Sequence, residues 1–292
     1  MRIIVVFICL LLFSCTKEIK IDQVDYQTKI VVDGWIENNG YAHVILTRSS
    51  PFLTEYDSAS IRNTFLNYAK VTLSNGKGQS EVLTLSRQKD FFPPFIYKST
   101  DIKGEIGETY ELEVIYQNKI VSSVTTIPLL PDVKDVFSDN VSDTSMYIMA
   151  HIEDNSLSEN YYYSQIFVKH IDTRFHPSGN PLQNDRLFNG KEHTFQVKRS
   201  NQPDPLNIHN IDGNRPLVRD EFAIDDTVLV KISQIDKEAY RVLNGIHIDH
   251  LNTTNPFAFI DQKTPTNING GIGRWTGMAS HTFLVTSKKP HN

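Results

Sequence analysis

Short β-patterned segments separated by turn signals run through most of this chain, and they restrict it to an all-β fold. The clearest segment is Thr109 to Tyr116, in which Tyr110, Leu112 and Val114 alternate with two glutamates. This two-residue period is typical of a strand with one face buried and one face in water. Turn signals such as residues 38–40 (Asn-Asn-Gly) indicate hairpins between consecutive segments.

The same patterns predict strands along the whole body of the chain. They cover residues 28–36, 41–47, 69–73, 82–85, 120–127, 133–137, 146–152, 161–169, 193–199, 227–234 and 282–286. One helix is predicted from Lys237 to about His250, because Asp236 is a good N-cap and apolar residues follow at helical spacing. Residues 174–191 and 202–219 are rich in Pro, Asn, Gly and Asp, and this composition predicts long surface loops.

Residues 128–131 (Pro-Leu-Leu-Pro) are the predicted boundary between two domains. Two prolines so close together block both strand pairing and helix formation. We therefore predict two β-sandwich domains of the immunoglobulin-like or transthyretin-like kind, over residues 28–128 and 132–292. The second is the β-rich domain that contains the long loops and the helix.

The N-terminus carries an export signal that ends at Cys15. Arg2 precedes an apolar stretch, Ile3 to Phe13, which is shorter than the ~20 residues that a membrane-spanning helix needs. Its length suits the central part of a signal peptide. Ser14-Cys15 resembles the lipobox of bacterial lipoproteins, so we predict a signal peptide over 1–14, lipidation of Cys15 and a tether over 15–27. The alternative is an ordinary secretory signal that ends near a chance cysteine.

Cysteine content and charge narrow the possible functions. The chain has two cysteines, and if Cys9 leaves with the signal peptide and Cys15 carries lipid, the body contains no thiol. That excludes thiol catalysis, thiolate metal sites and redox exchange. The net charge of −5 and the pI near 6.1 give no reason to expect nucleic-acid binding or attraction to anionic headgroups. Membrane attachment is therefore expected to come from the acyl chains.

Two motifs are candidates for ligand chemistry, and each also has a structural explanation. His247 and His250 stand three apart on the predicted helix, a spacing that can hold zinc. No third ligand follows at a recognised offset, and histidines also favour helix C-termini, so we predict no metal. Gly271, Gly273 and Gly277 suggest a phosphate loop. A strand rather than a helix follows them, which favours close backbone packing instead.

Aromatic and acidic residues supply the remaining candidates. Tyr161-Tyr162-Tyr163, with Trp35 and Trp275, are possible stacking platforms for sugars or peptides. Alternate tyrosines of a strand face opposite sides, so at least one is expected in the core. The pair at 225–226 (Asp-Asp) lacks calcium-loop spacing. No G-x-S-x-G elbow is present, whereas a pair of carboxylates hidden in the long loops stays open.

Several motifs in order resemble a known family. They are Cys15 with its lipobox, residues 31–36 (VVDGWI), 45–49 (ILTRS), 107–114 (GETYELEV), 127–128 (IP), 255–257 (NPF) and 267–277 (NINGGIGRWTG). Together they resemble a family of Bacteroidota outer-membrane lipoproteins known only as a domain of unknown function. The ending 267–277 is the most specific part, although Trp275 stands where the family usually has Phe. The resemblance implies an outer-membrane location, often the cell surface, and a TonB-dependent transporter encoded nearby.

Three functional hypotheses follow from these observations. The first is a non-enzymatic surface lipoprotein that assists a TonB-dependent transporter in nutrient capture or uptake. The ligand is not defined, and no cofactor or catalytic residue is assigned. The second is a surface polymer hydrolase with two carboxylates in the loops at 174–219. The third is a structural or adhesive envelope lipoprotein. The resemblance carries over one functional residue, Cys15.

Overall fold

The structure is a computed structural model that describes residues 27–50, 57–89, 93–200, 220–252 and 265–287. The signal peptide and Cys15 lie outside these ranges, as do residues 201–219 of the predicted loops. The strands are β1 Ile30–Glu37, β2 Tyr41–Arg48, β3 Lys70–Asn75, β4 Ser80–Val82, β5 Thr84–Arg87, β6 Phe95–Lys103, β7 Thr109–Tyr116, β8 Lys119–Thr126, β9 Asp132–Asn140, β10 Ser145–Glu153, β11 Tyr161–Val168, β12 His176–Asn184, β13 Glu192–Gln196, β14 Phe222–Ala223, β15 Val228–Ile235 and β16 Ile272–Val285. The helices are α1 Ser58–Asn63 and α2 Lys237–Asn252, with a 3-10 turn at Asp185–Leu187.

One large sheet organises the molecule. Its eight strands follow the order β12-β11-β15-β16-β1-β2-β6-β5, and smaller sheets are formed by β4-β3-β7-β8 and by β13-β10-β14 with β9 beside β10. Trp275 and Ala279 of β16 belong to the core shared with the first small sheet, and Val285 belongs to the core shared with the second. Because these residues are an even number of positions apart, both small sheets cover the same face. Helix α2 covers the other.

The long strand β16 joins the two halves of the molecule. Residues 272–278 pair in parallel with β1, and residues 278–285 pair antiparallel with β15. The first core is built from residues 30–127 together with Ile268, Trp275 and Ala279, and the second from residues 136–285. The predicted domain boundary at 128–131 lies between β8 and β9 and stays a prediction. One continuous sheet nevertheless runs through both halves.

The all-β fold class is confirmed, and the local patterns located most elements. β7 has the predicted bounds, and Asp236 caps α2 by accepting a hydrogen bond from the Ala239 N–H at 2.7 Å. The prediction of a loop over all of 174–191 was wrong, because β12 lies within it. This strand contains Pro177 and Pro181 and sits at an end of the sheet order, where proline is tolerated.

Candidate functional site

The candidate site lies on the face of the large sheet that carries α2, which we call the helix-side face. Its side chains come from strands that are distant in the sequence but adjacent in the sheet. They are Asp33, Trp35 and Glu37 of β1, His43 of β2, Tyr163 and Gln165 of β11, Lys231 of β15, and Arg274 and Thr276 of β16. They share this face because each is offset by one residue from the core-facing positions of its strand.

Two ion pairs join distant parts of the chain on the helix-side face. The Arg274 guanidinium donates from Nε to Asp33 Oδ1 at 2.7 Å, and the Lys231 ammonium donates to both carboxylate oxygens of Glu37 at 2.8 and 2.9 Å. Burial is the largest single effect and lowers the pKa of Arg274, but the charge and hydrogen bond of Asp33 together with Tyr163 outweigh it, so the net shift in pKa is upward. Both acids are thus engaged by cations, and neither is positioned as a free catalytic carboxylate.

Unpaired polar atoms also lie on this face. Arg274 Nη1, Thr276 Oγ1 and Gln165 Oε1 are buried and have no hydrogen-bond partner. Leaving a buried polar group unpaired costs about 1–3 kcal/mol. These atoms are enclosed by the packing of the helix-side face, and they mark where that packing leaves polar groups unsatisfied.

An aromatic stack borders the ion pairs. The rings of Trp35 and His43 lie 5.2 Å apart and nearly parallel, at 7°. Burial, assisted by the positive charge of Lys98, lowers the pKa of His43, which favours the neutral imidazole. On the other side, the Lys231 ammonium lies 4.4 Å from the centre of the Phe175 ring. The helix-side face therefore combines a flat aromatic surface with paired charges.

The other predicted aromatic platforms are buried. Tyr162 packs in the second core, and its hydroxyl donates to Asp154 Oδ1 at 2.5 Å. Tyr161 and Tyr163 point to the opposite face and pack under α2, where burial raises the pKa of Tyr163 to about 12. Trp275 is completely buried. Of the five aromatic residues, Trp35 alone is partly exposed and able to contact a ligand.

The glycine-rich motif has a structural role. Asn267 holds the backbone of Trp275 from both sides, accepting from its N–H at 3.0 Å and donating to its carbonyl at 2.7 Å. Gly273 has φ of 108°, and a Cβ on it would lie 1.9 Å from the Val32 carbonyl oxygen. A Cβ on Gly277 would lie 2.8 Å from the carbonyl oxygen of Thr126. These contacts confirm the prediction of close backbone packing.

The predicted metal and acid candidates are placed as follows. His247 lies on α2, whereas the side chain of His250 lies outside the described residues. Within the described ranges, no cluster of three or more His, Cys, Asp or Glu side chains is arranged for a metal ion. Asp226 accepts from the Ala223 N–H at 2.9 Å and from Arg199 at 3.3 Å, so it stabilises a turn.

Two other carboxylates converge in the second half. Asp154 Oδ1 accepts from Asn160 Nδ2 at 3.2 Å, and Asp185 Oδ2 accepts from the Asn160 N–H at 2.8 Å. Both acids are buried, and Asp154 also accepts from Gly190 N at 2.9 Å. They fasten two loops together rather than face a substrate. Residues 201–219, where the hydrolase hypothesis also places acids, lie outside the described residues.

The family model described as Domain of unknown function (DUF4249) matches residues 16–283. The chain belongs to the DUF4249 family. The matched region includes both halves and every residue named on the helix-side face. No curated protein matches the chain. Within the described ranges, no helix is long and apolar enough to cross a membrane.

Sequence reasoning missed the residues that make this DUF4249 face polar. Asp33 was the available signal, because it interrupts an otherwise apolar strand of the VVDGWI segment. Its partner Arg274 is 241 residues away, and the partner of Glu37 is 194 residues away. Pairing at such separations depends on the strand order, which is a property of the tertiary structure.

Proposed function

We propose that this protein is an outer-membrane lipoprotein, anchored through Cys15 and exposed at the cell surface, that assists a TonB-dependent transporter in nutrient capture or uptake without an enzymatic activity of its own. The lipobox at Cys15 is the observation that carries this proposal. The family match supports membership of a family of domains of unknown function. The proposal of a transporter as the partner rests on the sequence resemblance.

The position of the first strand supports a short anchor. β1 starts at Ile30, about 15 residues after Cys15. At ~3.3–3.6 Å per residue, this segment spans at most about 50 Å. A lipid on Cys15 therefore holds the folded body close to the membrane, where a transporter is accessible.

The helix-side face is the proposed contact surface for the transporter or its ligand. Its partly exposed Trp35 lies between neutral His43 and the Glu37–Lys231 pair. Aromatic residues with buried polar neighbours are typical of binding sites. The acids described on this face are both paired with cations, which supports binding rather than hydrolysis.

Two measurements test the anchor and the partner. Growth with an alkynyl fatty acid is expected to label the wild-type protein and not the Cys15→Ala variant. Cross-linking followed by affinity purification from outer membranes is expected to recover a TonB-dependent transporter. Absence of label would refute the anchor. A labelled protein that brings down no transporter would refute the partnership.

A matched pair of substitutions tests the contact surface. Trp35→Ala is expected to reduce transporter recovery about tenfold, since truncating an aromatic anchor typically costs 1–2 kcal/mol or more. Tyr68→Ala is the control, because Tyr68 lies between α1 and β3, outside the large sheet, and is 89% exposed. Far-UV circular dichroism checks that both variants are folded. Equal recovery with both variants would place the contact elsewhere.

A further inference from the structure

Two leucines at adjacent loop tips are almost completely exposed. Leu157 is 90% exposed and Leu187 is 95% exposed, which makes them the most exposed large apolar side chains within the described ranges. Leu157 lies in the loop between β10 and β11, and Leu187 ends the 3-10 turn after β12. We call this pair the leucine tips. Single exposed leucines are ordinary, but two that are almost fully exposed on neighbouring loops indicate a surface for interaction.

Contacts on both sides of the leucine tips hold the two loops against each other. On one side, the Asp185 N–H donates to the Asn160 carbonyl at 3.2 Å, in addition to the Asn160–Asp185 side-chain bond. On the other side, a Cβ on Gly190 would lie 2.6 Å from Ser156 Cβ, which shows how closely the loops approach. Since Leu157 and Leu187 lie between these contacts in their respective loops, they project from the same region.

The leucines are presented on a rigid base. Asn160 is buried and uses its side-chain amide to donate to Asp154 and to the carbonyls of Asn155 and Ser158. The Leu157 N–H donates to Asn155 Oδ1 at 3.0 Å. Hydrogen bonds that are already made inside the protein leave less ordering to be done on binding. The backbone that carries these exposed side chains is therefore held in place by hydrogen bonds within the protein.

The chemistry around the leucine tips favours a lipid surface. The loops 154–160 and 185–191 expose the bases Arg186 and Lys191 and one acid, Glu159, which is paired with Lys237 at 3.0 Å, whereas their other acids, Asp154 and Asp185, are buried. Leu187 follows Arg186 directly, and Leu157 lies between Ser156 and Ser158. Apolar side chains close to basic residues are typical of segments that enter the membrane interface. Hot spots of protein interfaces, in contrast, are enriched in Trp, Tyr and Arg, and Leu is under-represented there.

The anchor and the leucine tips are able to reach the same membrane. Tyr161, directly after the first loop, pairs with Ile235, which pairs with Met278, and Met278 pairs with Glu37 at the end of β1. Glu37 lies about 23 Å along β1 from its start at Ile30, and the three strand spacings between β1 and β11 add about 14 Å sideways. Both distances are within the ~50 Å that the tether spans.

We propose that the leucine tips insert into the interfacial region of the lipid bilayer and form a second membrane contact that orients the anchored body. This inference rests on the lipid-anchored location proposed above. The driving force is the burial of two apolar side chains in the bilayer interface, so insertion does not require a positive net charge on the whole protein.

Site-specific probes on the lipidated full-length protein test this inference. Because Cys9 and Cys15 are the only cysteines in the sequence, a new cysteine in the lipidated chain is the sole free thiol. Leu157→Cys and Leu187→Cys carry a polarity-sensitive fluorophore. Leu284→Cys is the matched control, since it is 67% exposed at the far end of β16. The proteins are reconstituted into vesicles of phosphatidylethanolamine and phosphatidylglycerol with nitroxide-labelled lipid.

A blue-shifted emission and at least twofold quenching by nitroxide lipid are expected at positions 157 and 187, with neither at 284. Probes at 157 and 187 that remain as water-exposed as the control would overturn the inference. A shift that appears in native outer membranes but not in pure lipid vesicles would also overturn it and would indicate a protein partner. Because reconstitution starts from labelled lipoprotein, failure here is distinct from failure of the Cys15 anchor.

Discussion

The packing of Gly34 against Trp275 leads to a quantitative prediction about the first core. A Cβ on Gly34 would lie 2.8 Å from Trp275 Cε3 and 3.4 Å from Val44 Cγ2. The indole has little freedom to move, because its Nε1 donates to the Tyr110 carbonyl at 3.1 Å and Asn267 holds its backbone. Gly34→Ala therefore forces a methyl group into occupied space.

The expected free-energy change follows from two opposing effects. Overpacking a close-packed core costs typically 1–3 kcal/mol. Replacing glycine by alanine also restricts the unfolded chain, which stabilises the folded state by about 0.4–1 kcal/mol. We expect Gly34→Ala to lower the free energy of unfolding by about 1–2 kcal/mol.

A double-mutant cycle with Trp275→Phe isolates the contact. The smaller ring removes the indole atom nearest to the new methyl group, at the cost of about 0.5–1.5 kcal/mol for the lost hydrogen bond to Tyr110 and a further amount for lost packing. In the Trp275→Phe background, Gly34→Ala is expected to be neutral or slightly stabilising. The predicted coupling energy is therefore about 1–2 kcal/mol.

Urea unfolding followed by far-UV circular dichroism measures all four proteins, since this signal does not depend on the indole that is replaced. If Gly34→Ala costs the same in both backgrounds, within the ~0.5 kcal/mol expected of independent sites, then Trp275 is not what excludes a side chain at position 34 and the reasoning is refuted.

Two further predictions concern the second half of the molecule. Burial lowers the pKa of His193 below its usual 6.5, so the unfolded chain takes up a proton first on acidification. The stability that this group contributes is present above pH ~6.5 and is lost as the pH falls below it. His193→Phe is expected to reduce the fall in urea midpoint between pH 7.5 and 5.5, and an unchanged pH profile would contradict this. Asn160→Ala is expected to cost about 1–3 kcal/mol, because the buried Asp154 carboxylate loses the donor Asn160 Nδ2, while the backbone N–H of residue 160 still donates to Asp185. Asn155→Ala, at an exposed position, is the control, and similar losses in urea unfolding for both would show that the buried bonds do not stabilise the loops.

Patterns in the sequence predicted the strands and the helix that are determined by residues close to one another along the chain. Apolar and polar residues alternate along β7 because one of its faces is buried and the other is in water. Helix α2 has both an N-cap at Asp236 and apolar residues at helical spacing. The alternation of the three tyrosines was also predicted, with Tyr162 on one face and its two neighbours on the other.

Tertiary contacts decided the elements that the patterns missed. The first half of β16 is rich in glycine, which disfavours strands in isolation, yet Gly273 and Gly277 are required there because backbone carbonyls approach too closely for a Cβ. β12 contains two prolines and is formed at the sheet end, where Asn180 donates to the carbonyl of Gln196 at 2.9 Å. In both cases, contacts with distant segments outweigh the local preference.

The sequence by itself determined the all-β class, the α2 helix and the candidate anchor at Cys15, because each depends on neighbouring residues or on composition. Only the tertiary structure decided that β16 would join the two halves in one sheet and that Arg274 would meet Asp33 across 241 positions. It also brought Leu157 and Leu187 onto adjacent loops. The physical reason is that strand order and register arise from the packing of whole faces, which no short segment encodes.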